Sequence, residues 1–206
     1  MEDVLDLYQQ PLNPAKPVVC FDERPTQLIS EKRQPLPAEP GQPERYDYEY
    51  QREGTANVFA FFQPLAGWRH LKVTAQRTKA DFAICMKELV DVHFPHADAL
   101  RLVMDNLNTH DISSLYETFE PAEARRIARK LEIHYTPKHG SWLNMVEIEL
   151  SVLSRQCLDR RIPDQTILER EVAAWEQERN QQHATVQWQF TPDIARVKLK
   201  SLYPSI

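Results

Sequence analysis

The sequence predicts an α/β fold: a mixed sheet flanked by helices. Three features predict it. Two short apolar runs, "VVCFDE" at 18–23 and "LRLVMDN" at 100–106, have the β-branched and aliphatic content of strands covered on both faces. Between them, "NVFAFFQP" and "WRHLKVTAQ" are joined by "PLAG", the pattern of an antiparallel hairpin. Beyond the hairpin, apolar residues recur at helical spacing between the remaining strand-like runs.

The elements follow in order. Residues 1–16 supply a helix and linker. A strand at 18–23 comes next, ending on Asp22 and Glu23. Residues 31–57 carry Pro35, Pro37, Pro40 and Pro43, glycines and many charges, which predicts an irregular excursion. After the hairpin, Thr78 is a helix N-cap with Asp81 three residues on, and Phe82, Ile84, Cys85, Leu89 and Val92 keep helical spacing. That helix leads into the strand at 99–105. A short helical region ends near Phe119, and Pro121 opens a helix over 121–131. A strand at 132–137 precedes helices from about Leu143 and over 166–182, and Thr191 and Pro192 start the last. Residues 17–160 are expected to form the main domain, with 161–206 a helical extension packed on it.

The chain has 206 residues, 42% hydrophobic and 27% charged, with a net charge of −5. That is ordinary for a folded domain. No run approaches the roughly 18 apolar residues of a membrane span, and the acidic start "MEDVLDLYQQ" is unlike a signal peptide. The expected location is therefore cytoplasmic, without a membrane partner. Cys20, Cys85 and Cys157 lie far apart, which suggests neither a zinc site nor a disulfide framework. The acidic balance argues against a broad phosphate-binding surface and leaves room for a local basic face.

A crossover helix would lay the strand at 99–105 parallel to the strand at 18–22. Asp22 and Asp105 would then lie side by side at the carboxyl ends of adjacent strands, where sites in such sheets occur. Two such carboxylates repel unless a cation lies between them. Mg2+ suits them, being a hard ion that takes carboxylate oxygens, and Mn2+ can substitute. A third acid comes from the helix near 143–157. There Leu143, Val146, Leu150 and Leu153 mark the apolar stripe; Glu147 borders it, whereas Glu149 is read as lying farther round.

"VVCFDE", "LVMDNLNTH" and "HYTPKHGSWLNMVEIELSVL" together resemble the three signature blocks of the DDE transposases of the mariner superfamily, in particular its bacterial insertion-sequence branch. The resemblance runs from about Pro17 through Leu158 and more loosely to the tail "KLKSLYP". It implies a ribonuclease-H-like fold, with Asp22, Asp105 and Glu147 as the catalytic and metal-binding triad. It also implies metal-dependent cleavage and joining of DNA strands. Asn106, His110, Lys138, His139, Trp142 and Asn144 are the expected DNA-facing residues. The 41 residues between Asp105 and Glu147 exceed the usual spacing of eukaryotic mariner relatives, which suggests the helix at 121–131 as an insertion.

In the resembling transposases a loop placed like residues 31–57 clamps a partner subunit, so a homodimer is expected. Full transposases of this type also carry an N-terminal helix-turn-helix part that reads transposon ends. Its absence before Pro17 suggests a catalytic half whose recognition part is supplied separately. Two other readings compete: a ribonuclease-H-like nuclease that cuts without joining, and a non-catalytic, inhibitory DNA-binding fragment.

Overall fold

The computed structural model describes residues 1–203, so Pro204 of the "KLKSLYP" tail lies outside the described residues. Five strands form one mixed sheet: β1 (Val18–Glu31), β2 (Tyr50–Gln63), β3 (Trp68–Thr74), β4 (Leu100–Met104) and β5 (Leu131–Tyr135). They lie in the order β3-β2-β1-β4-β5. The β1–β2 and β2–β3 pairs are antiparallel, while β1–β4 and β4–β5 are parallel. The parallel β1–β4 pair, with Cys20 opposite Val103, is the arrangement that the two apolar runs predicted.

Helices cover both faces. On one side α2 (Lys79–Glu88), α3 (Ser113–Thr118) and α4 (Pro121–Ala128) pack over Val19, Phe21, Phe59 and Phe61. On the other, α1 (Glu2–Tyr8), α5 (Val146–Gln156), α6 (Gln165–Gln181) and α7 (Pro192–Lys198) cover Cys20, Val58, Ala60 and Phe62. Neighbouring residues of β1 and β2 thus serve opposite cores, as the period of a strand requires. Thr78 caps α2 as expected, its side chain accepting from Asp81 N while the Asp81 carboxylate accepts from Thr78 N.

Two expectations need correction. The excursion is shorter than 31–57, because β1 continues to Glu31 and β2 begins at Tyr50, and the two pair along this whole length. Backbone bonds between two strands suffice for a solvated ribbon, so polar side chains and Gly54 do not prevent it. A bulge between Leu28 and Ile29, opposite Gly54 at φ 109°, absorbs the irregularity. Only 32–49 departs from regular strand, and isolated bridges tie Leu36 to Arg45 and Glu39 to Gln42.

α4 is built into the fold. It lies on the crossover from β4 to β5, with Ala124 and Ile127 fully buried. The N-terminal helix is packed into the core as well. Val4, Leu5, Leu7 and Tyr8 are buried, and the Tyr8 hydroxyl donates to the Leu143 carbonyl at 2.7 Å.

The second correction is Glu149. It is 4% exposed and lies inside the packed face of α5, three residues after Val146 and four before Leu153. Its charge is met by two guanidiniums. Arg69 Nε of β3 lies 3.0 Å from Glu149 Oε2, and Arg179 Nη2 of α6 donates to Glu149 Oε1 at 2.8 Å. Arg69, itself 1% exposed, also donates to the Ala184 carbonyl at 2.6 Å. Asn180 accepts from Arg69 N at 2.8 Å and donates back to the Arg69 carbonyl at 2.8 Å. The extension from residue 161 onward is therefore locked to both β3 and α5.

Removing one partner of a buried ion network strands the others in low dielectric, which costs about 3–5 kcal/mol. Glu149→Ala should lower the unfolding free energy by that amount in urea titrations. Glu147→Ala, two residues earlier on the exposed side of the same helix, should change it by less than about 0.5 kcal/mol.

Candidate active site

β1 delivers Asp22 immediately after Phe21, on the side of the sheet that faces α5. Its Oδ1 accepts from the Glu23 backbone N–H at 2.8 Å, and its Oδ2 lies 3.4 Å from Asn144 Nδ2. β4 ends at Met104 and hands over Asp105, whose side chain is 40% exposed. Glu147 stands exposed in the first turn of α5. Asp22 feels the charges of Glu147, Glu23 and Asp105, so the three acids share one neighbourhood. Burial first, and then these like charges, push the Asp22 carboxyl up to about 7.

The donor set suits a hard divalent cation, offering carboxylate oxygens of like charge. Among the described residues, no three His, Cys, Asp or Glu side chains converge into a ready-made metal cage.

The polar residues around the acids divide into two groups. Asn106, Lys138, His139 and Trp142 are exposed. Asn106, Lys138 and His139 line a groove of about 690 Å³ with Asp105 and Tyr135. Its wall is a tight turn: His139 takes φ 63°, and a side chain at Gly140 would meet Pro137 Cγ at 2.6 Å. Trp142, 47% exposed, stacks on Trp188 at 6.3 Å between ring centroids and meets Phe190 edge-on.

Asn144 and His110 do not face solvent, which corrects the expectation that both meet DNA. Asn144 is 1% exposed and donates to the Phe21 carbonyl at 2.8 Å, so it pins the start of α5 to the strand carrying Asp22. His110, also 1% exposed, lies against the rings of Phe21 and Phe82. Its Nδ1 is 2.6 Å from Asp105 Oδ1. In sequence, a polar residue beside a functional acid reads the same whether it points outward or inward.

Sequence reasoning also missed Glu23 and Arg77. Glu23 is buried beside His110, and Arg77 Nη1 pairs with its Oε1 at 3.2 Å. The only signal was the second carboxylate in "FDE". Despite burial, His110 and then Arg77 hold the Glu23 carboxyl below its usual range.

Asp22 behaves oppositely. Its folded pKa lies above the usual 3.8, so in the metal-free chain its ionisation opposes folding. The penalty is absent below the unfolded pKa, grows as pH rises through the interval up to about 7, and is full above it. Asp22→Asn keeps an oxygen for the Glu23 N–H and should stabilise the metal-free chain by a few kcal/mol at mildly alkaline pH. It should change little in acid, as urea titrations at the two pH values would show.

A search of curated proteins finds no match. Among solved structures, the fold is similar to a Mos1 transposase paired-end complex with left transposon end, with a TM-score of 0.59 at 14% identity. It is also similar to a Mos1 mariner paired end complex with Mn (0.56, 15%) and to a Mos1 strand transfer complex (0.57, 14%). Each match covers 89% of this chain and 55% of the other, so the chain spans about half the length of those proteins. At such identity the likeness establishes the fold alone, a ribonuclease-H-like one. The model of the DDE superfamily endonucleases matches residues 17–169, most of the chain, and the chain belongs to that superfamily.

Proposed function

We propose that this chain is the catalytic part of a transposase that cuts DNA strands and joins them to a target, using Asp22, Asp105 and Glu147. The observation that carries the reading is the gathering in one neighbourhood of Asp22 within β1, Asp105 just after the parallel strand β4 and Glu147 in the first turn of α5, with an open groove beside Asp105. Asp22, Asp105 and Glu147 would hold the divalent cation, Mg2+ or Mn2+, which when bound activates an attacking oxygen and stabilises a leaving one.

The chain's own residues supply position and charge. Lys138 and His139, exposed on the groove wall beside Asp105, place donors where a DNA phosphate would lie. Asn106 offers a neutral donor on the same wall. Trp142 presents a ring backed by Trp188, a surface on which a base can stack. Water serves as the first nucleophile and a freed 3′-hydroxyl as the second, so the reaction requires no covalent enzyme intermediate.

The relatives whose structures carry DNA support DNA as the partner. The loop at 32–49 supports a homodimer: Tyr46 and Tyr48 are 68% and 86% exposed at the end of a long two-stranded ribbon.

The test is plasmid nicking with purified chain and Mn2+, read on agarose gels, followed by joining of a pre-cut labelled end to the plasmid. The expected result is metal-dependent nicking that falls to background in Asp105→Asn and in Glu147→Gln. Nicking that survives both substitutions would refute the assignment.

A further inference from the structure

His110 lies between two acids. Its Nδ1 is 2.6 Å from Asp105 Oδ1, and its Nε2 is 2.8 Å from Glu23 Oε2. The first contact has hydrogen-bond geometry; the second is a close ion contact without that alignment, leaving Glu23 Oε2 and His110 Nε2 with no other partner. Glu23 in turn meets Arg77 at 3.2 Å, and Arg77 is half exposed. The groups thus run from the site to the surface as acid, imidazole, acid, guanidinium. Phe21 and Phe82 fix the ring, with centroids 5.1 and 5.3 Å from it. The Tyr135 hydroxyl donates to the His110 carbonyl at 3.2 Å, fixing the backbone as well.

We propose that His110 is a positioning residue: backed by Glu23, it takes one oxygen of Asp105 and so fixes the carboxylate with a single oxygen toward the site. This rests on the reading of Asp22, Asp105 and Glu147 as the metal-holding acids. Asp22 is treated in the same way from the other side. Its Oδ1 is committed to the Glu23 N–H at 2.8 Å, while Oδ2 has only the long 3.4 Å contact with Asn144. Glu23 therefore serves both aspartates, one through its backbone and the other through its carboxylate and His110. One oxygen of Asp105 is engaged before any cation or DNA arrives, and the loop after β4 has little freedom to turn the acid away. Outer partners of this kind typically change metal affinity by about 10- to 100-fold.

Two variants separate positioning from packing. His110→Phe keeps an aromatic ring between Phe21 and Phe82 and removes both nitrogens. His110→Asn places an amide nitrogen where Nδ1 stood and gives up the ring. In metal-free crystals, Asp105 should hold the wild-type rotamer in His110→Asn and leave it in His110→Phe. In the nicking assay, the half-saturating Mn2+ concentration should rise about 10- to 100-fold in His110→Phe, with partial return in His110→Asn.

An unchanged Asp105 rotamer in His110→Phe would overturn the proposal, whatever the assay shows. If Asp105 is released but the wild-type chain nicks no DNA with any divalent metal, the positioning role stands and the transposase reading falls. Should His110→Phe not fold, the Asn variant decides alone: a shifted Asp105 there means that the ring's packing, not its nitrogen, sets the carboxylate.

Discussion

Like charges brought together repel, and the structure around Asp22, Asp105 and Glu147 is organised by that constraint. Burial and its neighbours already push Asp22 up to about 7. Such a cluster cannot rely on the mutual attraction of its members, so each acid is held by its own support. Asp22 sits within a strand pinned by Asn144, Asp105 is gripped by a buried histidine, and Glu147 rides on a helix fixed from behind.

The third support reaches farthest. α5 exposes Glu147 and buries Glu149 on its packed face, so less than one helix turn separates the solvent-facing acid from the structural one. The Glu149 ion network with Arg69 and Arg179 joins β3, α5 and α6. Buried ion pairs are poor sources of net stability but strict in geometry, because misplacing any member leaves a charge in low dielectric. α6 thereby helps to anchor the helix that carries Glu147. α1 contributes from the other end, through the Tyr8 hydroxyl on Leu143 just ahead of α5.

The strands of the site were legible because both runs are apolar up to the acid, and burial on two faces leaves that mark in sequence. Thr78 with Asp81, and Thr191 with Pro192, were legible because helix caps use few residue types in fixed order. The outer ribbon of β1 and β2 was not, since a solvated pair of strands needs no apolar alternation. Glu149 was misread because its type outweighed its spacing, although three residues after Val146 and four before Leu153 marks the packed face. His110 and Asn144 were noticed but turned the wrong way: their direction is set by Asp105 and by the Phe21 carbonyl, partners that only the folded chain brings near.

The central claim is that Asp22, Asp105 and Glu147 act together on one cation, and it is tested most directly by calorimetric titration of Mn2+ into the purified chain and into Asp105→Ala. Binding by the first chain that is lost in the second is the expected result. Equal heats from the two proteins would contradict the account, because Asp22 of β1 and Asp105 just after β4 would then form no joint site.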